Sequence, residues 1–408
     1  MPKHVVFNGG DTIESAGDHA PLAFSDKRKE AIICLGAGLQ QLPIIKAAKK
    51  IGYAAIAIDQ NPKAIGFKSA DVSINISTYD HVAILQALEE ITNIFLFVGV
   101  LARTTAHEAQ FSAIQIRKIY GLRGVTEELL RITTSKKLLR EFLKRKCIRT
   151  PIGHEVDGIN ENKPLKFPVI IKPDITVVGK KGIMYCPDLE ALKANRGVTQ
   201  NYSGNGRAEV QEFVEGIDVS CLVKVSDGLA EILLCWDELV GIDSELYIRG
   251  LGVSIPSIID RSVYQDKIVR ILKVLSEFSD VDSLVVVSFR INTEGEANVI
   301  ELHTDLVGDL VADHLLPASS PEFDFFHFLI DFSVGLNLFN PKCNFSPTLL
   351  YFDISSGRGE SNEVQKKHNI IRLGSNRLNL IEFNRRLQLL VPDMYLYPEH
   401  CEWQMIAK

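Results

Sequence analysis

Apolar positions recur along the chain in two alternating periods. "KEAIICLGAG" at 29–38 is an apolar run entering a glycine turn, the pattern of a buried strand. "LQQLPIIKAAKKIG" follows it with apolar residues at helical spacing up to a terminating Gly52. "YAAIAIDQNP" reads as a second strand, "HVAILQALEEI" as a second helix and "NIFLFVGV" as a third strand, and "AHEAQFSAIQIRKIYG" continues the alternation. Strand, helix, strand, helix, strand implies a parallel sheet with right-handed crossovers. This Rossmann-like domain is expected over 29–125. Residues 1–28, polar and rich in Gly, Asp and Ser, read as a tail or peripheral extension.

Past residue 125 the pattern changes. "TTSKKLLREFLKRKCIRTPIG" reads as a helix with a Thr or Ser cap, closed by Pro151. "FPVIIKP" and "GIMYC" are short apolar strands on either side of a basic loop that carries Gly179, Lys180, Lys181 and Gly182. "DLEALKANRG" is a helix, and the stretch from "AEVQEFVEG" to "LLCWDEL" holds strands joined at an Asp227-Gly228 turn. "SVYQDKIVRILKVLSEFS" is amphipathic at helical spacing, and "SLVVVSFRINTEGEANVIELHTD" reads as a hairpin around Glu294-Gly295. The expected class is a multidomain mixture of α/β and α+β. A two-lobed domain would span 126–340, with one lobe at about 165–215, and a small C-terminal module would span 341–408.

Composition narrows the field. A chain of 408 residues exceeds one core. With 46% hydrophobic and 24% charged residues and a formal net charge of −6, it does not resemble a nucleic-acid or membrane binder. The seven cysteines include no CxxC pair and their number is odd, so buried reduced thiols in the cytoplasm are expected. No run approaches the length of a membrane span.

Two stretches carry candidate chemistry. "CLGAGLQQ" follows a strand and opens a helix. Gly36 and Gly38 fit the start of a dinucleotide fingerprint and Asp59 ends the next strand, but Gln41 stands where the third glycine belongs. A tight strand-to-helix turn in a Rossmann-like domain without NAD accounts for the same residues. The second stretch is "FPVIIKPDITVVGKKGIMY", in which Lys172 closes a strand ahead of the basic loop. Alone, Lys172 is also what a snorkelling strand-end lysine looks like, and Lys136 what a solvated helix face looks like.

In order, "TSKKLLREFL", "FPVIIKP", "QEFVEGIDVS" and "VIELHTD" resemble the ATP-grasp superfamily across roughly residues 130–310, and the preceding domain resembles the one placed before the ATP site in carboxylate ligases related to carbamoyl-phosphate synthase and biotin carboxylase. The resemblance implies ATP and Mg2+ or Mn2+ as cofactors, small-molecule carboxylate and amine substrates, an acyl-phosphate intermediate and a homodimer. It places Lys136 and Lys172 on phosphate and folds Gly179, Lys180, Lys181 and Gly182 over the β- and γ-phosphates. Gln211, Glu212, Phe213 and Val214 would read the adenine, and Asp218 the ribose.

The pattern then breaks. If the hairpin turns near Glu294, Ser288 lies opposite Glu301, where the superfamily has Glu at both places. The usual E-x-N-x-R reads Glu301-Leu302-His303-Thr304-Asp305. Residues two apart on a strand share a face, so Glu301, His303 and Asp305 form one candidate metal set. Arg290 or Arg249 would replace the missing arginine, and Arg103 and His107 are candidate substrate contacts. Two readings stay open: a rewired ligase site, or an ATP-grasp-like nucleotide-binding protein whose phosphoryl transfer is altered or lost. Asp305, Asp309 and Asp313 also repeat at helical spacing, which is the mark of a solvated stripe.

Overall fold

The structure is a computed structural model, and it describes residues 4–8, 27–156, 166–177, 179–257, 261–278, 280–304, 306–308, 310–336, 345–346, 348–352, 368–372 and 395–396. The chain divides into two compact units, Met1–Val125 with Asp324–Phe339, and Thr126–Phe323 with Asn340–Lys408.

The first unit is built on β1 (Val5–Phe7), β2 (Lys29–Leu35), β3 (Ala54–Ile58), β4 (Val72–Ile74) and β5 (Phe95–Leu101), in the spatial order β1-β4-β3-β2-β5. β2 to β5 run parallel, and β1 joins the edge antiparallel. Part of the expected N-terminal tail is therefore a strand, because Val5–Phe7 finds the open edge of β4. Strand order reverses between β2 and β5, where the chain crosses from one half of the sheet to the other. Helices Leu42–Lys50 and His81–Glu89 and the short turn Ile65–Lys68 make the crossovers, and helix His107–Tyr120 follows β5 and ends on Gly121 in the left-handed region (φ 67°). Ile33, Ile56, Ile58, Ile74, Ile84 and Leu88 are fully buried in this core.

Helix Phe325–Ser333 also belongs to this unit, although the sequence pattern left it with 126–340. Phe325, Phe328, Leu329, Ile330 and Phe332 are buried, and the helix packs on Leu42–Lys50. A hydrophobic face seeks its complement wherever the chain returns to it, and sequence distance does not report that.

The second unit holds two sheets. The smaller contains β6 (Gly153–Glu155), β7 (Val169–Pro173), β8 (Met184–Cys186) and β9 (Ala208–Glu212), in the order β6-β9-β7-β8, all antiparallel. Helix Leu189–Asn201 covers it. The larger, eight-stranded sheet begins with β10 (Gly216–Ser226), β11 (Leu229–Ile242), β12 (Ile248–Ile255), β13 (Ser283–Asn292) and β14 (Ala297–His303). The β10–β11 turn puts Asp227 and Gly228 at φ 53° and 71°, as the Asp-Gly pair demands, and Gly295 turns β13 into β14 at φ 73°.

The described strands past residue 340 add to this same sheet. β15 (Thr348–Phe352) pairs with β12, β16 (His368–Arg372) with β15, and β17 (Tyr395–Leu396) with β11. β15 and β16 extend the sheet past β12, β17 adds to the end of β11, and the rest of the expected 341–408 module lies outside the described residues. Of the cysteines described, Cys34, Cys186 and Cys221 are buried, Cys235 is intermediate and Cys147 is exposed, so the expectation of uniform burial does not hold at Cys147. Among the described residues no helix is long and apolar enough to cross a membrane.

Candidate functional site

The larger sheet sets out a row of cross-strand partners: Glu301 faces Ser288, Ser288 faces Ser220, and Ser220 faces Trp236. Two residues along, Asp218 stands between Arg290 and Glu238. Residues two apart share a face, so these side chains and His303 lie on one surface of the sheet. The predicted opposition of Ser288 and Glu301 is observed as a register pair.

Lys136 reaches Glu301, and Lys172 lies near enough to feel the charge of both. Lys136 opens helix Lys136–Arg145, whose N-terminus is organised by Asp174: Oδ1 accepts from Ser135 Oγ at 2.7 Å and from the Lys137 N–H at 2.9 Å, and Oδ2 accepts from Asn205 Nδ2 at 2.7 Å. The Lys136 N–H donates to the Asp174 carbonyl at 3.0 Å. Asp174 follows two residues after Lys172 at the end of β7, so one carboxylate ties the helix start to the strand end and brings both lysines together. Lys136 is 5% exposed and Lys172 8%, so neither a solvated helix face nor a snorkelling side chain describes them. The neighbouring Lys137 pairs instead with Glu155 at 2.5 Å.

The electrostatics follow from that geometry. Lys136 Nζ bonds Glu301 Oε1, and His303 Nε2 lies 3.1 Å from Glu301 Oε2. Burial works against ionising Glu301, but His303 and Lys136 outweigh it and hold the carboxyl well below its ordinary value. Lys172 is in the opposite position. Burial, then repulsion from Lys136, lowers its ammonium from 10.5 to about 8, with Glu301 and Glu209 only partly offsetting them. Glu209 faces Lys172 across the strands but is forked onto Arg140, at 2.8 and 3.2 Å.

The other sequence candidates distribute as follows. Gly179 and Gly182 adopt φ 45° and 77°, and a Cβ on Gly182 would lie 2.7 Å from Tyr202 Cβ, so glycine is required there. Lys180 Nζ lies 3.1 Å from Glu238 Oε2, whereas Lys181 is exposed. Gln211 is buried on β9; the Glu212 N–H donates to the Ile152 carbonyl at 2.9 Å, and the Phe213 ring meets Tyr185 edge-on at 5.2 Å. The Val214 carbonyl accepts from Arg290 at 3.4 Å.

Asp218 and Arg290, expected on ribose and phosphate, are bound to each other. Both Asp218 oxygens accept from the Arg290 guanidinium, the Nη2 bond being 2.9 Å. Two buried opposite charges facing each other across β10 and β13 pair because a separated buried charge costs far more. Arg249, the other candidate for the missing arginine, pairs with Asp243 at 2.7 Å, stacks on Tyr247 at 4.6 Å and is exposed. Arg103 is buried in the first unit, donating to the Gln40 carbonyl at 2.8 Å, and His107 begins helix His107–Tyr120 of that unit.

Asp305 and Asp309 lie outside the described residues, so the Glu301-His303-Asp305 set is described only in its first two members. Among the described residues no group of three His, Cys, Asp or Glu side chains is placed to hold a metal ion. Mg2+ uses one or two carboxylates together with substrate phosphates, so Glu301, beside the Ser288 hydroxyl, fits an ion that arrives with a nucleotide.

Sequence reasoning missed Glu238, Ser220 and Asp174. Glu238 Oε1 accepts from Ser220 Oγ at 2.9 Å, and Ser220 Oγ lies 2.8 Å from Ser288 Oγ. No local signal marks Glu238, whereas Asp174 could have been found as an acid directly after the Lys172-Pro173 strand end.

The first unit's glycine turn is filled by its own chain. Gly38 N–H donates to Gln41 Oε1 at 3.2 Å, Gln41 Nε2 donates to the Arg103 carbonyl at 2.6 Å, and the Asp59 carboxylate accepts from the Ala37 N–H at 2.8 Å. Gln41 and Asp59 thus occupy the amides that a dinucleotide pyrophosphate would use.

No protein-family model matches the chain. A curated relative, the carbamoyl phosphate synthase large chain of Clostridium beijerinckii, is 27% identical over 158 residues, which is 36% of this chain and 14% of that protein's length. Among solved structures, the ADP complex of N5-carboxyaminoimidazole ribonucleotide synthetase matches with a TM-score of 0.67 at 16% identity, covering 90% of this chain and 97% of the other. L-amino acid ligase from Bacillus licheniformis matches with a TM-score of 0.67 at 12% identity, covering 92% and 100%. Phosphoribosylglycinamide synthetase from Anaerococcus prevotii matches with a TM-score of 0.61 at 16% identity, covering 91% and 99%.

Proposed function

We propose that this chain, whose fold is that of the ATP-grasp carboxylate–amine ligases, is itself an ATP-dependent ligase that joins a small-molecule carboxylate to an amine. The carboxylate oxygen attacks the γ-phosphorus, ADP leaves and an acyl phosphate forms. The amine then attacks the acyl carbon, loses a proton and expels phosphate.

One observation carries the reading: the buried Lys136 is paired with Glu301, and the buried Lys172 near them, repelled by Lys136, has its charge disfavoured where it stands. A buried ammonium short of anions binds phosphate in preference to water. Lys136 and Lys172 would hold phosphate oxygens and align the γ-phosphoryl with the acid, and such alignment supplies on the order of 7–11 kcal/mol. Glu301 would hold Mg2+, or Mn2+ in its place, which neutralises charge on the phosphates. Phe213 and Tyr185, packed edge-on, would give an adenine apolar surface from one ring face.

A second reading, nucleotide binding without phosphoryl transfer, draws on Ser288 standing opposite Glu301 and on Arg290 being committed to Asp218. ADP release measured with Mg2+ against pooled amino acids and small acids separates the two. The ligase reading expects acid- and amine-dependent ADP, and expects Lys172→Ala to cut turnover by about two to three orders of magnitude. Nucleotide binding with no ADP release for any acid would favour the second reading, and near-normal turnover in the Lys172 variant would remove that residue from the chemistry.

A further inference from the structure

Glu238 has no part in the reading above, yet it holds a cation on the site face. Lys180 Nζ is 3.1 Å from Glu238 Oε2, and Ser220 Oγ fixes the other carboxylate oxygen from 2.9 Å. The alkyl stem of Lys180 runs over Gly250, where a Cβ would lie 3.7 Å from Lys180 Cε. Lys180 is the half-buried one of two adjacent lysines, on a turn whose glycines adopt φ 45° and 77°. Around it the turn is joined to the larger sheet by backbone bonds, Ile248 N–H to the Ile183 carbonyl at 3.0 Å and Tyr185 N–H to the Leu246 carbonyl at 2.8 Å. The charges are real on both sides. Glu238, with Asp218 and Glu301 behind it, pushes the Lys180 ammonium above its ordinary value. Burial opposes ionisation of Glu238, but Lys180 and the Ser220 hydroxyl outweigh it and leave the carboxyl below its ordinary value.

We propose that Glu238 is a built-in competitor of the nucleotide: it holds Lys180 in reserve, and the phosphates of an entering nucleoside triphosphate draw that ammonium away. The inference rests on the nucleotide-binding reading of the same site. A single ammonium cannot satisfy the carboxylate and the phosphates fully at once, so the observed affinity is the intrinsic one reduced by the fraction of Lys180 that Glu238 retains. Removing the two partners then has opposite signs. A purely structural ion pair would give the same sign for both.

The test is calorimetric binding to the full-length chain of a nonhydrolysable ATP analogue, ADP and adenosine, each with and without Mg2+. Glu238→Gln is expected to bind the triphosphate analogue about three- to tenfold more tightly, with adenosine unchanged, and Lys180→Met about tenfold more weakly. The gain from Glu238→Gln should vanish in the Lys180→Met background, since the carboxylate acts only through that lysine. Glu238→Asp, which withdraws the carboxylate by one methylene, gives a smaller gain and serves if the Gln variant does not fold. Weaker triphosphate binding in the Glu238 variants overturns the proposal, and a loss confined to Mg2+ assigns Glu238 to the ion instead. A wild-type chain that binds neither triphosphate nor diphosphate would overturn the nucleotide reading together with this inference.

Discussion

Lys172 shows how much one buried charge can report. Its ammonium value falls from 10.5 in the unfolded chain to about 8 in the folded one, first through burial and then through Lys136. Between those values the unfolded chain binds more protons, so stability rises as pH increases from about 8 to 10.5 and the penalty is complete below 8. The difference amounts to roughly 3 kcal/mol. Phosphate reverses the preference by stabilising the charged form. Triphosphate binding above pH 8 should therefore take up a proton, and affinity should fall as pH rises through 8. Calorimetry in two buffers of different ionisation enthalpy reads the proton directly. Lys136→Met removes one cause of the shift and should move the inflection upward, and an inflection that stays put would deny the coupling.

At the scale of elements, the meeting of the two lysines depends on how helix Lys136–Arg145 is attached to the end of β7. Asp174 makes that attachment with one carboxylate oxygen and its carbonyl, while the other carboxylate oxygen holds Asn205. Asp174→Ala strands the Lys137 N–H and the Ser135 hydroxyl, at a cost of about 1–3 kcal/mol. It should also weaken triphosphate binding, because Lys136 loses its fixed distance from Lys172, while adenosine binding stays near normal. Urea unfolding and parallel titrations check both halves. Destabilisation with unchanged triphosphate affinity would make Asp174 only a cap.

For the whole molecule, the division into units does not follow the chain. Asp324–Phe339 returns to the first unit after the second has formed most of its sheet. Each large side chain of Phe325–Ser333 that is buried there contributes about 1.5–3 kcal/mol. A fragment of residues 1–125 should therefore bind hydrophobic dye and melt early or not at all, and joining 324–339 to it through a flexible linker should restore a cooperative transition. A fragment 1–125 that melts like the joined form would show the helix to be dispensable.

What the sequence by itself determined was local: which runs are strands and helices, their order, the glycine turns at Asp227-Gly228 and Gly295, and through hairpin length the opposition of Ser288 and Glu301. These rest on residues close in the chain, where periodicity and turn chemistry act directly. Tertiary structure alone decided which charges meet. A carboxylate on a strand looks the same in sequence whether it binds ribose, metal or a neighbour. Asp218 joined Arg290 across 72 residues and Lys180 joined Glu238 across 58, since register and sheet order set those distances. The same holds for β15 and β16, which extended the larger sheet because its edge at β12 was open to pairing.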